Sequence, residues 1–198
     1  LKDKINITSN TFLVSSVQAI YSMQKNNFFE NSNVRDGSYY VIGNRSSQLL
    51  KELGMNQVQD TFTDFNMFNN YLLKNKIKSE INYLCGDIIT EEAEQAVESK
   101  KLRKIILYKI NATKRFNPKT IELFELKKIR SVLLYSLYTS SVFHQLIKKY
   151  EIEGKVRNLE YYCLSSRIAK YMQENDYNNV LICDQPNQES MITALKKN

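Results

Sequence analysis

The sequence predicts an α/β fold of two lobes, each a parallel sheet flanked by helices. Three observations predict it. Short continuous apolar runs of strand length recur along the chain, and each leads into a segment whose apolar residues repeat at helical spacing. Turns rich in hydroxyls and amides close most of these runs. A polar, turn-prone stretch, Asn111 to Asn117, interrupts the pattern near mid-chain, and the pattern then resumes.

Phe12-Leu13-Val14 is the first apolar run; Ser15 and Ser16 follow it, then Val17, Ala19, Ile20 and Met23 at helical spacing. Asn26 to Gly37 is polar, carries Asn-Ser-Asn and Asp-Gly turn signals, and is expected to be a loop. Tyr39 to Ile42 is an aromatic and β-branched strand. Gly43 permits a sharp exit from it, and Asn44, Ser46 or Ser47 can cap the next helix. Leu49, Leu50 and Leu53 mark that helix's apolar face, and Gly54 stands where a C′ glycine is expected. The first free amides of such a helix, flanked by hydroxyls, suit a carboxylate or phosphate. Val58 to Phe62 reads as a weak strand, Thr63-Asp64 as a cap, and Phe65, Phe68 and Leu72 as the face of a helix. Ile81 to Cys85 is a strand ending at Gly86-Asp87. Thr90 to Val97 is a helix with acids in its first turns, as the macrodipole favours, and Ile105 to Tyr108 is a further strand.

The lobe boundary falls at residues 112/113. Asn117-Pro118 is an N-cap and N1 pair opening a helix with Ile121, Leu123, Phe124 and Leu126 inside. Three strand-turn-helix units follow. Val132 to Tyr135 leads to Ser136, Leu159 to Cys163 leads to Ser165-Ser166, and Val180 to Cys183 leads to Asp184-Gln185-Pro186. In open α/β sheets ligands sit outside the carboxyl ends of the strands. If the halves face each other, their serine turns line one cleft.

Composition narrows the partners without choosing one. The chain has 198 residues and a formal charge of +7, from 28 Lys and Arg against 21 Asp and Glu. That balance favours an anionic partner. The basic residues are scattered, and the clusters Lys100-Lys101-Leu102-Arg103-Lys104, Lys127 to Arg130 and Lys148-Lys149 read as solvated helix ends and loop edges. They form no aromatic-interleaved stripe, which disfavours nucleic acid. No run approaches the roughly 18 apolar residues of a membrane span, and no signal segment opens the chain. Cys85, Cys163 and Cys183 lie far apart in or beside apolar strands, as buried thiols of a reducing cytoplasm would. A single histidine, His144, argues against a His-based metal centre or a Ser-His-Asp triad. Gly43-Asn44-Arg45-Ser46 is neither a Walker nor a dinucleotide loop, since neither glycine spacing is present.

Several motifs together resemble the uroporphyrinogen-III synthase family. They are Val14-Ser15-Ser16-Val17-Gln18-Ala19-Ile20, Val41-Ile42-Gly43-Asn44-Arg45-Ser46, Leu84-Cys85-Gly86-Asp87 and Leu107-Tyr108-Lys109. Leu134-Tyr135-Ser136, Cys163 to Ala169 and the closing strand with Asp184-Gln185-Pro186 complete the order. The resemblance runs from about residue 8 to residue 197 and rests on order and spacing rather than on any one motif. It implies two α/β lobes joined by a two-stranded linker, with residues 1–112 as the inserted lobe and 113–198 as the C-terminal lobe. The implied active site is the cleft between them.

The implied reaction closes linear hydroxymethylbilane to uroporphyrinogen III, inverting ring D with loss of water, for haem or sirohaem synthesis. No metal or organic cofactor is implied, and a cytoplasmic monomer is expected. The substrate bristles with acetate and propionate carboxylates, which suits serine turns and helix amides. The candidate substrate-binding residues are Ser15, Ser16, Asn44, Arg45, Ser46, Gly86, Asp87, Ser136, Ser165 and Ser166. The resemblance makes Tyr108 the candidate catalytic residue, because a phenol can hydrogen-bond or donate to a leaving hydroxyl.

Plainer readings stand beside these. Tyr108 is one of 13 tyrosines, and a packing role is the ordinary one. Ser46, Ser136, Ser165 and Ser166 can be helix caps alone, Arg45 and Arg167 can pair with surface acids, and Asp87 can be a turn residue. Family members also open with a strand, an Arg-Pro pair, a helix and a second strand before anything resembling Asn6 to Ile20. This chain starts at Leu1 without them. The C-terminal lobe is therefore expected to expose a hydrophobic sheet edge or face, as in a fragment or an inactive relative. The rival function is a non-catalytic two-lobe binding module for an anionic small molecule.

Overall fold

Parallel strand pairing organises the chain into two units, Leu1–Asn111 and Ala112–Asn198. The computed structural model describes residues 7, 9–77, 79–99 and 101–197. Lys100, which opens the first basic cluster, and Thr8, where the resemblance begins, lie outside the described residues.

In the first unit, β1 (Thr11–Val14) leads to α1 (Val17–Lys25), a 3-10 turn (Phe28–Glu30) and α2 (Ser32–Arg35). Then come β2 (Ser38–Ile42), α3 (Asn44–Glu52), β3 (Val58–Phe62), α4 (Phe65–Lys74), β4 (Ile81–Gly86), α5 (Glu91–Glu98) and β5 (Leu102–Tyr108). The sheet order is β3-β2-β1-β4-β5, all parallel. The chain winds outward from β1 to β3, then crosses back to β4 beside β1 and continues to β5. The order therefore reverses between β1 and β4.

Successive residues of β1 show why both faces are covered. Phe12 and Val14 pack with Ala19, Ile20 and Met23 of α1 and Leu49 and Leu50 of α3. Leu13 points the other way, into a core shared with Phe65, Phe68 and Leu72 of α4 and Ala93 and Ala96 of α5. Alternate side chains of one strand thus feed two cores, and continuous apolarity follows.

The second unit holds α6 (Pro118–Glu125), β6 (Ser131–Leu134), α7 (Leu137–Lys149), α8 (Glu153–Val156) and β7 (Glu160–Cys163). It closes with α9 (Ser166–Glu174), β8 (Asn179–Ile182) and α10 (Gln188–Lys197). Its sheet is β6-β7-β8, parallel throughout. Tyr161 and Cys163 join the larger core with Phe124, Ile147, Ile168 and Met172. Tyr162, on the opposite face, packs in a small cluster with Cys183 and Met191. Leu181 and Ile182 of β8 are 38% and 53% exposed, so this unit does present apolar sheet surface to solvent.

Three expectations need correcting. Asn26 to Gly37 is not all loop: it contains the 3-10 turn and α2, whose one buried residue, Val34, is too little to create a visible period. The Leu102-Arg103-Lys104 part of the basic cluster is the start of β5 rather than a solvated edge, with Lys104 reaching the Asp87 carbonyl and Glu94. Residues 109–117, which follow β5, carry no strand. Gly43, not Asn44 or a serine, is the N-cap of α3.

Two clasps repeat across the units. The Tyr39 hydroxyl donates to the carbonyl of Val34 at 2.5 Å, and the Tyr161 hydroxyl donates to that of Val156 at 2.6 Å. Each bond ties a fully buried strand tyrosine to the short helix just before it, α2 in one case and α8 in the other.

Candidate active site

The order of strands in the first unit reverses between β1 and β4. Helices α1 and α5 follow neighbouring strands but pack on opposite faces, so the carboxyl ends of β1 and β4 are the point of the sheet where open α/β folds take ligands. Ser15-Ser16 closes β1 and Gly86-Asp87 closes β4, so four of the candidate residues meet there.

Ser16 is the N-cap of α1, and its Oγ accepts from the Gln18 amide at 3.1 Å. The Tyr108 hydroxyl, arriving from the end of β5, donates to the same Oγ at 3.1 Å. Gly86 makes this approach possible. A β-carbon there would lie 2.7 Å from Cε2 and 2.9 Å from Cζ of the Tyr108 ring. Ser15 Oγ lies 2.7 Å from the Tyr83 hydroxyl. Tyr83 was hidden from sequence reading because it sits in the middle of an apolar strand, where a tyrosine is most simply core.

Asp87 has a different task from the one its place suggests. Its Oδ1 accepts from the amides of Ile88 and Ile110, at 3.0 and 2.8 Å, while its own amide donates to the Tyr108 carbonyl at 3.1 Å. The carboxylate ties the exits of β4 and β5 together around Tyr108.

On the other side of β1, β2 ends in Gly43, whose φ of 93° lies in the left-handed region and turns the chain directly into α3. No side chain caps this helix, in contrast to α1, α4 and α5. Ser46 is buried in its first turn, and Ser47 accepts from Thr61 Oγ1 at 2.9 Å. Arg45 is exposed and reaches Glu52 at 3.8 Å, a weak surface pair. The far end obeys the sequence. Met55 donates to the Leu50 carbonyl and Gly54, with φ 81°, to that of Lys51, a Schellman ending.

In the second unit, Ser136 and Ser165 follow β6 and β7, which pair in register at Leu134 and Cys163. Ser136 caps α7, accepting from the Thr139 amide at 3.0 Å, and Ser165 caps α9, accepting from Ile168 at 3.4 Å. Ser166 is exposed in the first turn of α9. These serines therefore cap helices at the carboxyl edge of their own sheet.

A cavity of about 310 Å³ opens at the other end of this unit, where α7 and α9 finish. His144, Lys148 and Arg157 line it with Glu153, Glu174 and Asp176. His144 Nδ1 lies 3.1 Å from the Tyr177 hydroxyl, and burial, then Lys148, holds the imidazole's pKa below its usual value. Its mixed charge and its place at the amino ends of the strands set it apart from an α/β ligand crevice. Among the described residues no three His, Cys, Asp or Glu side chains group as a metal site requires, and no helix is long and apolar enough to cross a membrane.

Residues 4–193 match the HEM4 family, described as uroporphyrinogen-III synthase HemD. The chain belongs to the uroporphyrinogen-III synthase family. The same architecture occurs in uroporphyrinogen-III synthetase from Helicobacter pylori, at 14% identity and a TM-score of 0.67, over 100% of this chain and 88% of that one. A mutant uroporphyrinogen III synthase from Thermus thermophilus aligns at 10% identity and a TM-score of 0.56, over 95% of this chain and 77% of that one. At such identities these likenesses speak for the fold, and the family assignment rests on the HEM4 match. No curated protein matches the chain. Within the family frame, the α/β fold of two parallel sheets flanked by helices is as the sequence predicts.

Proposed function

We infer that this chain is a uroporphyrinogen-III synthase, a lyase-type enzyme that closes hydroxymethylbilane to uroporphyrinogen III with inversion of ring D and loss of water. The family match over residues 4–193 is the observation that carries this reading. The substrate contains its own nucleophile, so the protein's work is to fold the bilane, disfavour the unrearranged closure and aid departure of the terminal hydroxyl. The hydroxyl leaves with a proton as water, and attack by ring D at its substituted carbon gives a spiro intermediate that fragments and recloses.

Our assignment of roles follows from the chemistry of each group. Tyr108 assists the leaving hydroxyl, and its bond to Ser16 keeps the phenol at the carboxyl end of β1. Ser15, Ser16, Ser46, Arg45 and the uncapped amides around Asn44 take substrate carboxylates in the first unit. Ser136, Ser165 and Ser166 do so in the second, since a cap and an anion contact use the same helix end. Gly86 and Asp87 support Tyr108 rather than touch the substrate. The net charge of +7 assists capture of a polyanion.

We further assign the protein to the cytoplasm as a cofactor-free monomer. The three buried free thiols suit a reducing compartment. The test is conversion of freshly made hydroxymethylbilane, with the products separated as isomers. Uroporphyrinogen III is the expected product; accumulation of uroporphyrinogen I alone overturns the reading.

A further inference from the structure

β4 lies beside β1 with Tyr83 in register with Leu13. The Tyr83 ring is 2% exposed and packs edge-on against Phe65, with centroids 5.5 Å apart. Its hydroxyl meets Ser15 Oγ at 2.7 Å. Distance alone does not say which oxygen donates. Burial raises the phenol's pKa far above its ordinary value, so it keeps its hydrogen. A buried hydroxyl hydrogen without an acceptor is costly, and Ser15 Oγ is the acceptor within reach. The half-exposed Ser15 can turn its own hydrogen elsewhere.

The neighbouring serine is held in the same way. Ser16 Oγ accepts from both Tyr108 and the Gln18 amide, which occupies its two lone pairs and leaves its hydrogen to donate. Two tyrosines, from β4 and β5, thus fix two successive hydroxyls of one turn. An anionic oxygen is attracted by hydroxyl hydrogens and repelled by lone pairs, so the polarity of each serine decides whether the turn receives a carboxylate.

We propose that Tyr83 is a positioning residue for substrate binding, acting through Ser15: by donating to Ser15 Oγ it makes that hydroxyl a donor. That hydroxyl then receives one acetate or propionate carboxylate of the bilane. The proposal rests on the synthase reading and adds to it a residue that never touches the substrate.

The experiment is steady-state kinetics of Tyr83→Phe, Ser15→Ala and the double variant on hydroxymethylbilane, with thermal unfolding of each. Loss of one charge-assisted hydrogen bond predicts a KM about tenfold higher in each single variant, with kcat within about twofold of wild type. Because one residue acts through the other, the double variant should be no worse than Ser15→Ala alone. Unchanged KM in Tyr83→Phe, or additive effects in the double variant, overturns the proposal. Failure of Tyr83→Phe to fold overturns the proposal as well, because the hydroxyl would then be structural, and an unchanged KM in Ser15→Ala is equally fatal. A wild-type protein that yields only uroporphyrinogen I refutes the synthase reading, whereas wild-type conversion with a flat variant series refutes this inference alone.

Discussion

The Tyr108 ring lies directly over Gly86, close enough that a β-carbon at residue 86 would fall 2.7 Å from the ring. The glycine's φ is not in the left-handed region, so its backbone would accept an alanine and only the contact forbids it. Gly86→Ala should therefore fold, with about 1–3 kcal/mol of destabilisation as the ring shifts. Turnover should fall together with the displaced hydroxyl. Urea unfolding and product formation measured on one preparation check both; wild-type turnover with a displaced Tyr108 would separate the ring from the chemistry.

Tyr108→Phe removes the hydroxyl while keeping the ring on Gly86. If the phenol assists the leaving hydroxyl, kcat should fall by about 10- to 100-fold, with KM and melting temperature nearly unchanged. Chemistry driven largely by the substrate keeps the loss from being total. Wild-type kcat in a folded Tyr108→Phe protein removes the assigned role.

The thiols of Cys85 and Cys163 should resist alkylation in the native protein. Burial pushes each pKa up to about 12, so little thiolate exists near neutrality. Iodoacetamide followed by intact-mass measurement should label neither until denaturant is added. Labelling of Cys85 in the native state would mean that β4 and β5 open readily.

His144 should make stability depend on pH. Its folded pKa lies below 6.5 because of burial and Lys148, with Glu153 opposing, so between that value and 6.5 the unfolded chain binds more protons. The contribution is complete above pH 6.5 and is lost as the pH falls towards the folded value. Urea midpoints from about pH 5 to 7 should show this slope, and His144→Gln should flatten it. An equal slope in the variant would assign the effect to other groups.

What the sequence discloses of this fold follows from where side chains point. β1, β2 and β4 are buried on both faces, so they read as largely apolar runs, with Asn82 the polar exception inside β4. Caps at Ser16, Asn117, Ser136 and Ser165 are legible because hydroxyls and amides have one dominant use before a helix. Helices α2 and α8, at four residues each, bury only Val34 and Val156 and leave no periodic trace. The site is legible as a set of turns and no further. Which turns adjoin depends on the crossing from β3 back to β4, a fact about strand order that local sequence does not carry. Tyr83 and the clasp role of Asp87 emerge only from that adjacency.

The tyrosine clasps at Tyr39 and Tyr161 bear on how the chain acquires this shape. Each closes a loop of five residues, the kind of contact whose entropic cost is small and which forms early in a collapsing chain. Neither depends on residues of the other half. Each clasp can therefore form within its own half, and on a ribosome the first can set β2 against α2 while the second is still being made. A substitution that removes one clasp leaves the residues of the other untouched.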